Sequence, residues 1–183
     1  MSATLAAVLV ATGLRLVASH GYPDGAPPGF SGGFKEETCH ACHFHQELNA
    51  AGGSVTIDGV PTTFTAGERY ALTITLTRPG MKRAGFQLTA RFKDTGAQAG
   101  GLAPGAGEAE RVAVENQSSV QYAGQRKAGA GVSGDAARWV VDWTAPASGG
   151  AVVFNVAANA ADGNDNADGD FVLTATAGAA PPP

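Results

Sequence analysis

Period-two alternation is the feature that most constrains this chain. Tyr70, Leu72, Ile74 and Leu76 alternate with small or polar residues, and Phe86, Leu88, Ala90 and Phe92 do the same. Such runs predict strands with one face turned to a core. Further strands are expected at Val55 to Ile57, Arg111 to Glu115, Val120 to Tyr122, Arg138 to Thr144, Val152 to Ala157 and Phe171 to Thr176. Turn-rich connections such as Thr95 to Gly107 and Gly129 to Asp135 separate them. Trp139, Val141 and Trp143 share one face of their strand and would anchor a packed interior. The 26 glycines and 10 prolines, with 15% charged residues, favour turns and short strands over long helices. About eight strands without an intervening helix make an all-β, immunoglobulin-like antiparallel sandwich the expected fold.

The chemistry concentrates upstream of these strands, in Cys39-His40-Ala41-Cys42-His43, which contains both cysteines of the chain. Cys-x-x-Cys-His is the attachment signature of c-type haem: two thiols form thioethers to the vinyl groups, and the next His gives an axial nitrogen to iron. Two intervening residues allow one tight turn that aims both sulfurs at one edge of the macrocycle. On this reading Cys39 and Cys42 carry one covalent haem c and His43 is the proximal axial ligand. A thioredoxin-like pair would want a βαβ context, which is missing from the pattern. A disulfide would leave the following His unexplained, and a zinc site would be cramped between His40 and His45.

Haem attachment of this kind takes place outside the cytoplasm, so an export signal is expected at residues 1–19. Leu5 to Ala11 has the length of a signal-peptide core and is too short to span a membrane, although no Lys or Arg precedes it and Arg15 interrupts its end. Cleavage after Ala18 or Ser19 would start the mature chain at Ser19 or His20; the alternative is a short buried helix. Residues 20–53 then form an irregular haem-binding arm, because Gly21 to Phe34 is dense in Gly and Pro and must be held by what it wraps. Residues 54–177 form the sandwich, and 178–183 read as a disordered tail. No later stretch is long and apolar enough for a transmembrane helix. A formal charge of −4 offers no basic field for nucleic acid or an anionic membrane.

Several segments together resemble a known family. They are Gly25 to His43 (GAPPGFSGGFKEETCHACH), Arg78-Pro79-Gly80, Ala84 to Thr89, Trp143 to Pro146, Val153-Phe154, Asn159 to Asn164 and Gly169-Asp170. In these the chain resembles the bacterial Reeler-related proteins, also described as choice-of-anchor V domains, many of which carry an N-terminal Cys-x-x-Cys-His. The resemblance runs from about residue 25 to 177. It implies a Reeler-like β-sandwich with haem tethered at one end. The chain departs from the pattern at Val120 to Gly124, where family members often carry a His.

The sixth iron ligand separates an electron carrier from a reactive haem. Two residues of extended chain advance only about 6.6 Å, so neither His45 nor His40 can travel to the face opposite His43. That leaves His20, Met81, a Lys such as Lys82, or water. Met81 follows the turn Arg78-Pro79-Gly80 at what reads as an exposed loop tip, which favours it; His20, at the start of the arm, is the alternative. Met ligation would raise the reduction potential. Asp162, Asn164, Asn166, Asp168 and Asp170 recur at every second position and invite a calcium reading. The EF-hand template fails, with Ala167 and Leu173 where Gly and Glu are required, and an Asx-rich hairpin explains the run without metal.

All four histidines lie in the N-terminal part of the chain, so the sandwich has no imidazole base and no hydrolytic constellation emerges. The expected function is single-electron transfer rather than catalysis. The protein would be a periplasmic or extracellular monohaem cytochrome docking weakly with extracytoplasmic redox proteins. An adhesion or matrix module with accessory haem, and an open-site haem sensor or peroxidase-like protein, are the alternatives.

Overall fold

The computed structural model describes Tyr22 and residues 24–183. The expected leader at 1–19 and His20 lie outside the described residues. Among the described residues, nine strands form two antiparallel sheets packed face to face. They are β1 (Ser54–Asp58), β2 (Arg69–Thr77), β3 (Arg83–Phe92), β4 (Gly101–Pro104), β5 (Val112–Gln117), β6 (Val120–Gln125), β7 (Ala136–Thr144), β8 (Val152–Ala161) and β9 (Phe171–Ala179). One sheet has the order β1-β2-β7-β4 and the other β5-β6-β3-β8-β9. The architecture is the expected all-β sandwich.

The alternating residues meet between the sheets. Leu72, Ile74 and Leu76 of β2 and Trp139, Val141 and Trp143 of β7 are fully buried against Phe86, Leu88, Phe154 and Val156. Phe86 and Trp139 stack with centroids 4.6 Å apart, and Phe154 stands edge-on to Trp143 at 4.9 Å. Both indole N–H groups are satisfied: Trp139 donates to the Gly129 carbonyl at 2.8 Å and Trp143 to that of Ala99 at 2.9 Å. Each ring therefore enters the core without an unpaired donor.

The second sheet is covered on its outer side as well, and this positions the site. Gln87, Thr89 and Arg91 of β3 point away from the core, yet all three are buried. The arm lies over them. Phe30 N–H donates to Gln87 Oε1 at 2.6 Å, and Gln87 Nε2 donates to the carbonyls of Pro27 and Ala26 at 3.0 and 3.3 Å. Arg91 donates to Glu36 of the arm and to Tyr122 of β6, and Tyr122 donates to the same Glu36 oxygen. Farther on, Asn49 N–H donates to the Val172 carbonyl at 2.9 Å and Thr174 N–H to Asn49 Oδ1 at 2.7 Å. Gly33 allows the close approach: a Cβ there would come 2.2 Å from Asn155 Oδ1. The arm is held against this sheet by polar side chains of β3, β6, β8 and β9.

Three expectations are corrected. Residues 178–183 are not simply a disordered tail: Gly178 and Ala179 complete β9 against Val153 and Val152, and Ala180 exchanges hydrogen bonds with Thr62 and Phe64. The linker Thr95 to Gly107 contains β4, whose Leu102 is buried and which pairs with β7 from Gly101↔Thr144 to Pro104↔Val141. Met81 is not at an exposed tip; it is 4% exposed and belongs to the core, because the chain folds back under the turn at Pro79-Gly80. No helix among the described residues is long and apolar enough to cross a membrane.

Candidate functional site

The Cys-x-x-Cys-His segment forms one 3-10 turn, Cys39–Ala41, whose start is capped by Thr38: its hydroxyl accepts from His40 N–H at 3.1 Å. The Cys39 carbonyl then accepts from the N–H groups of both Cys42 and His43, at 3.2 and 3.0 Å. This tight winding brings Cys39, Cys42 and His43 to the wall of one cleft of about 440 Å³. Both cysteines are free thiols. The atoms crowded around the Cys39 sulfur push its pKa up to about 12 by desolvation, a backbone hydrogen bond opposes this and the neighbouring Cys42 adds slightly to it.

His43 is held from behind. Its Nδ1 lies 2.6 Å from Oδ2 of Asp170, which is 1% exposed, at the threshold of β9. The other Asp170 oxygen accepts from Asp162 N–H at 3.1 Å, and Asn159 of β8 brings its Nδ2 to 3.3 Å from both Asp170 Oδ2 and His43 Nδ1. A buried carboxylate against Nδ1 makes that nitrogen the donor, which leaves the lone pair on Nε2. Asn159 Oδ1 is buried without a hydrogen-bond partner among the described residues.

The other histidines are engaged elsewhere. His40 Nε2 lies 2.8 Å from the Gln46 carbonyl, and His45 Nδ1 lies 3.0 Å from Asp168 at the exposed loop. Neither lines the cleft, and neither does Met81. His20 lies outside the described residues, but Tyr22, two residues on, contributes to the cleft wall. The run 162–170 is the expected Asx-rich β8–β9 hairpin loop. Asn164, Asn166 and Asp168 N–H groups each donate to the Asx side chain two residues before, at 3.0, 2.9 and 2.6 Å.

The cleft runs along β3 where β6 has already ended: β3 pairs with β6 only at Gln87↔Gly124 and Leu88↔Ala123. Pro27, Phe30 and Ala161 give it apolar walls, and Arg83 also lines it. Two free thiols, one imidazole with an open Nε2 and apolar walls are the donor set that a thioether-linked haem would need. Asp170, Asn159 and Arg83 are the residues that pattern-reading did not assign to the site. For Asp170 and Asn159 a signal lay in the quoted segments Asn159 to Asn164 and Gly169-Asp170, which sit beside the Cys-x-x-Cys-His loop in space; Arg83 had none.

No family model matches the chain, and no curated protein matches it. Among solved structures, the cohesin module of a family 33 glycoside hydrolase from Clostridium perfringens is 12% identical at a TM-score of 0.50, covering 72% of this chain and 98% of that one. A human F-spondin reeler domain is 18% identical at 0.49, covering 74% and 96%. The Reelin-N domain of F-spondin is 18% identical at 0.48, covering 76% and 93%. At such identities the cohesin likeness is one of fold alone, and the sandwich stands on the two sheets described above. None of these matches bears on haem attachment or on membership of the choice-of-anchor family.

Proposed function

We propose that this protein is an exported monohaem c-type cytochrome that passes single electrons between extracytoplasmic redox partners. Cys39 and Cys42 would hold one haem c by thioethers, and His43 Nε2 would bind its iron. The observation that carries this reading is the contact of His43 Nδ1 with buried Asp170, in a cleft that both thiols line. A carboxylate behind a ligating imidazole fixes its tautomer and strengthens its donation to the metal. When bound, the haem supplies one-electron cycling between ferric and ferrous iron. The chain's part is to orient His43 through Asp170 and Asn159, and to shield one wall with Pro27 and Phe30 of the arm.

With Met81 in the core and Lys82 outside the cleft, the sixth position would fall to His20 or to an exchangeable small ligand. The latter favours the open-site sensor or peroxidase-like reading. Rapid binding of CO to the reduced protein supports it; a reversible one-electron wave with no CO binding supports the carrier.

The primary test is a pyridine haemochrome assay on protein exported from a host with c-type maturation machinery. One covalent haem per chain, lost in Cys39→Ala and Cys42→Ala, is expected. A folded, exported protein without haem overturns the reading and leaves a β-sandwich binding module of the adhesion or matrix class.

A further inference from the structure

A haem carries its two vinyl groups and its two propionates on opposite edges, so a cleft that takes the vinyl edge at Cys39 and Cys42 must meet two carboxylates at its other end. Arg83 is the one Lys or Arg among the described residues that line the cleft. Its place in the ladder suits that end. Gly85 pairs with Asn159, which touches His43, and Arg83 lies two residues earlier on the same face of β3. Two strand residues add about 6.6 Å, beyond which the Arg side chain extends further.

Resting on the haem reading above, we infer that Arg83 is the carboxylate anchor of the cleft, binding a haem propionate in exchange for Asp165. Arg83 Nη1 now lies 3.2 Å from Asp165 Oδ1, with the two side chains 61% and 79% exposed. An ion pair so open to water is worth little and is readily exchanged. Asp165 belongs to the Asx loop, whose Gly163 packs against Lys82. The loop thus keeps a stand-in carboxylate at the guanidinium. The planar fork of Arg can grip a carboxylate through two parallel N–H donors, which an ammonium cannot do.

The test is the midpoint potential of the exported holoprotein, measured with haem content per chain. Removing a positive charge beside the haem disfavours the reduced, less positive state. Arg83→Gln is therefore expected to lower the potential and to add a pH dependence near neutrality, as the propionate loses its partner. Arg83→Lys should shift it part of the way. Lys82→Gln removes the same charge one residue outside the cleft and should leave the potential at the wild-type value. A haem-loaded Arg83→Gln protein at the wild-type potential overturns the inference, as does a Lys82→Gln shift of equal size. If Arg83→Gln does not accumulate, Arg83→Lys against Lys82→Gln decides in the same way, a partial shift supporting the inference and no shift overturning it. A wild-type protein without haem is a different failure, that of the cytochrome reading itself.

Discussion

The outer faces of the two sheets differ. On the β1-β2-β7-β4 sheet, the outward residues Thr73, Thr75, Arg138 and Asp142 stay at least partly open, and burial alternates with the strand period. On the other sheet the arm covers the outward residues of β3, which is buried on both sides over most of its length. One sheet is a scaffold with a wet back. The other uses the same backbone geometry as the floor of a site, with Gln87, Thr89, Arg91 and Asn159 recruited to hold the chain segment that carries the thiols. Burial of polar groups is costly unless they find partners, and the arm supplies them for Gln87 and for the Arg91 guanidinium Nη2.

The contrast can be broken most severely at Arg91. Arg91→Ala leaves Glu36 under the arm without its cation and is expected to cost about 3 kcal/mol, read by chemical denaturation. An unfolding free energy within about 0.5 kcal/mol of wild type would mean that the arm contributes no more than a surface loop. The next effect is one of pH. The Tyr122 phenol is raised to about 12, first by burial and then by its hydrogen bond and proximity to Glu36, against an opposing effect of Arg91. Its contribution is whole below pH 10, the ordinary tyrosine value, and is lost as the pH rises through about 12, because the unfolded phenol ionises first. Alkaline denaturation should therefore steepen in that window, and less so in Tyr122→Phe.

Asp170→Asn is expected to leave the sandwich folded while removing the carboxylate behind His43. On the cytochrome reading this raises the midpoint potential, since a less basic imidazole favours ferric iron less. An unchanged potential would separate Asp170 from the site. The smallest effect belongs to the other sheet: Arg69, 3.8 Å from Asp142 and mostly exposed, should cost no more than about 0.5 kcal/mol when replaced by Ala.

Strand positions were legible wherever apolar residues alternate, as in β2, β3 and β7. β4 was not, because only Leu102 of its four residues is buried and glycines precede it. The end of β9 was equally silent: Gly178, Ala179 and Ala180 carry no side-chain pattern, and their order comes from backbone pairing at a sheet edge. Met81 misled because a turn motif locates the chain reversal and not the direction of the side chain after it; a flexible thioether filled a gap in the core. The thiols and His43 could be read from adjacent residues. Asp170 could not be assigned to His43, since 127 residues separate them and only the folded sheet brings them together.

That separation also sets an order of events. In a chain threaded through a membrane N-terminus first, the two thiols and His43 emerge long before β8 and β9 exist. On the cytochrome reading, thioether formation would then need only a short peptide, whereas the carboxylate that aligns the imidazole would arrive with the last strand. The contact spans 127 residues, so closing that loop carries more chain entropy than any local contact of the thiol turn. Attachment and alignment are thus separated in time, and a chain truncated before Asp170 would retain the means to capture a haem but not the means to hold its ligand in place.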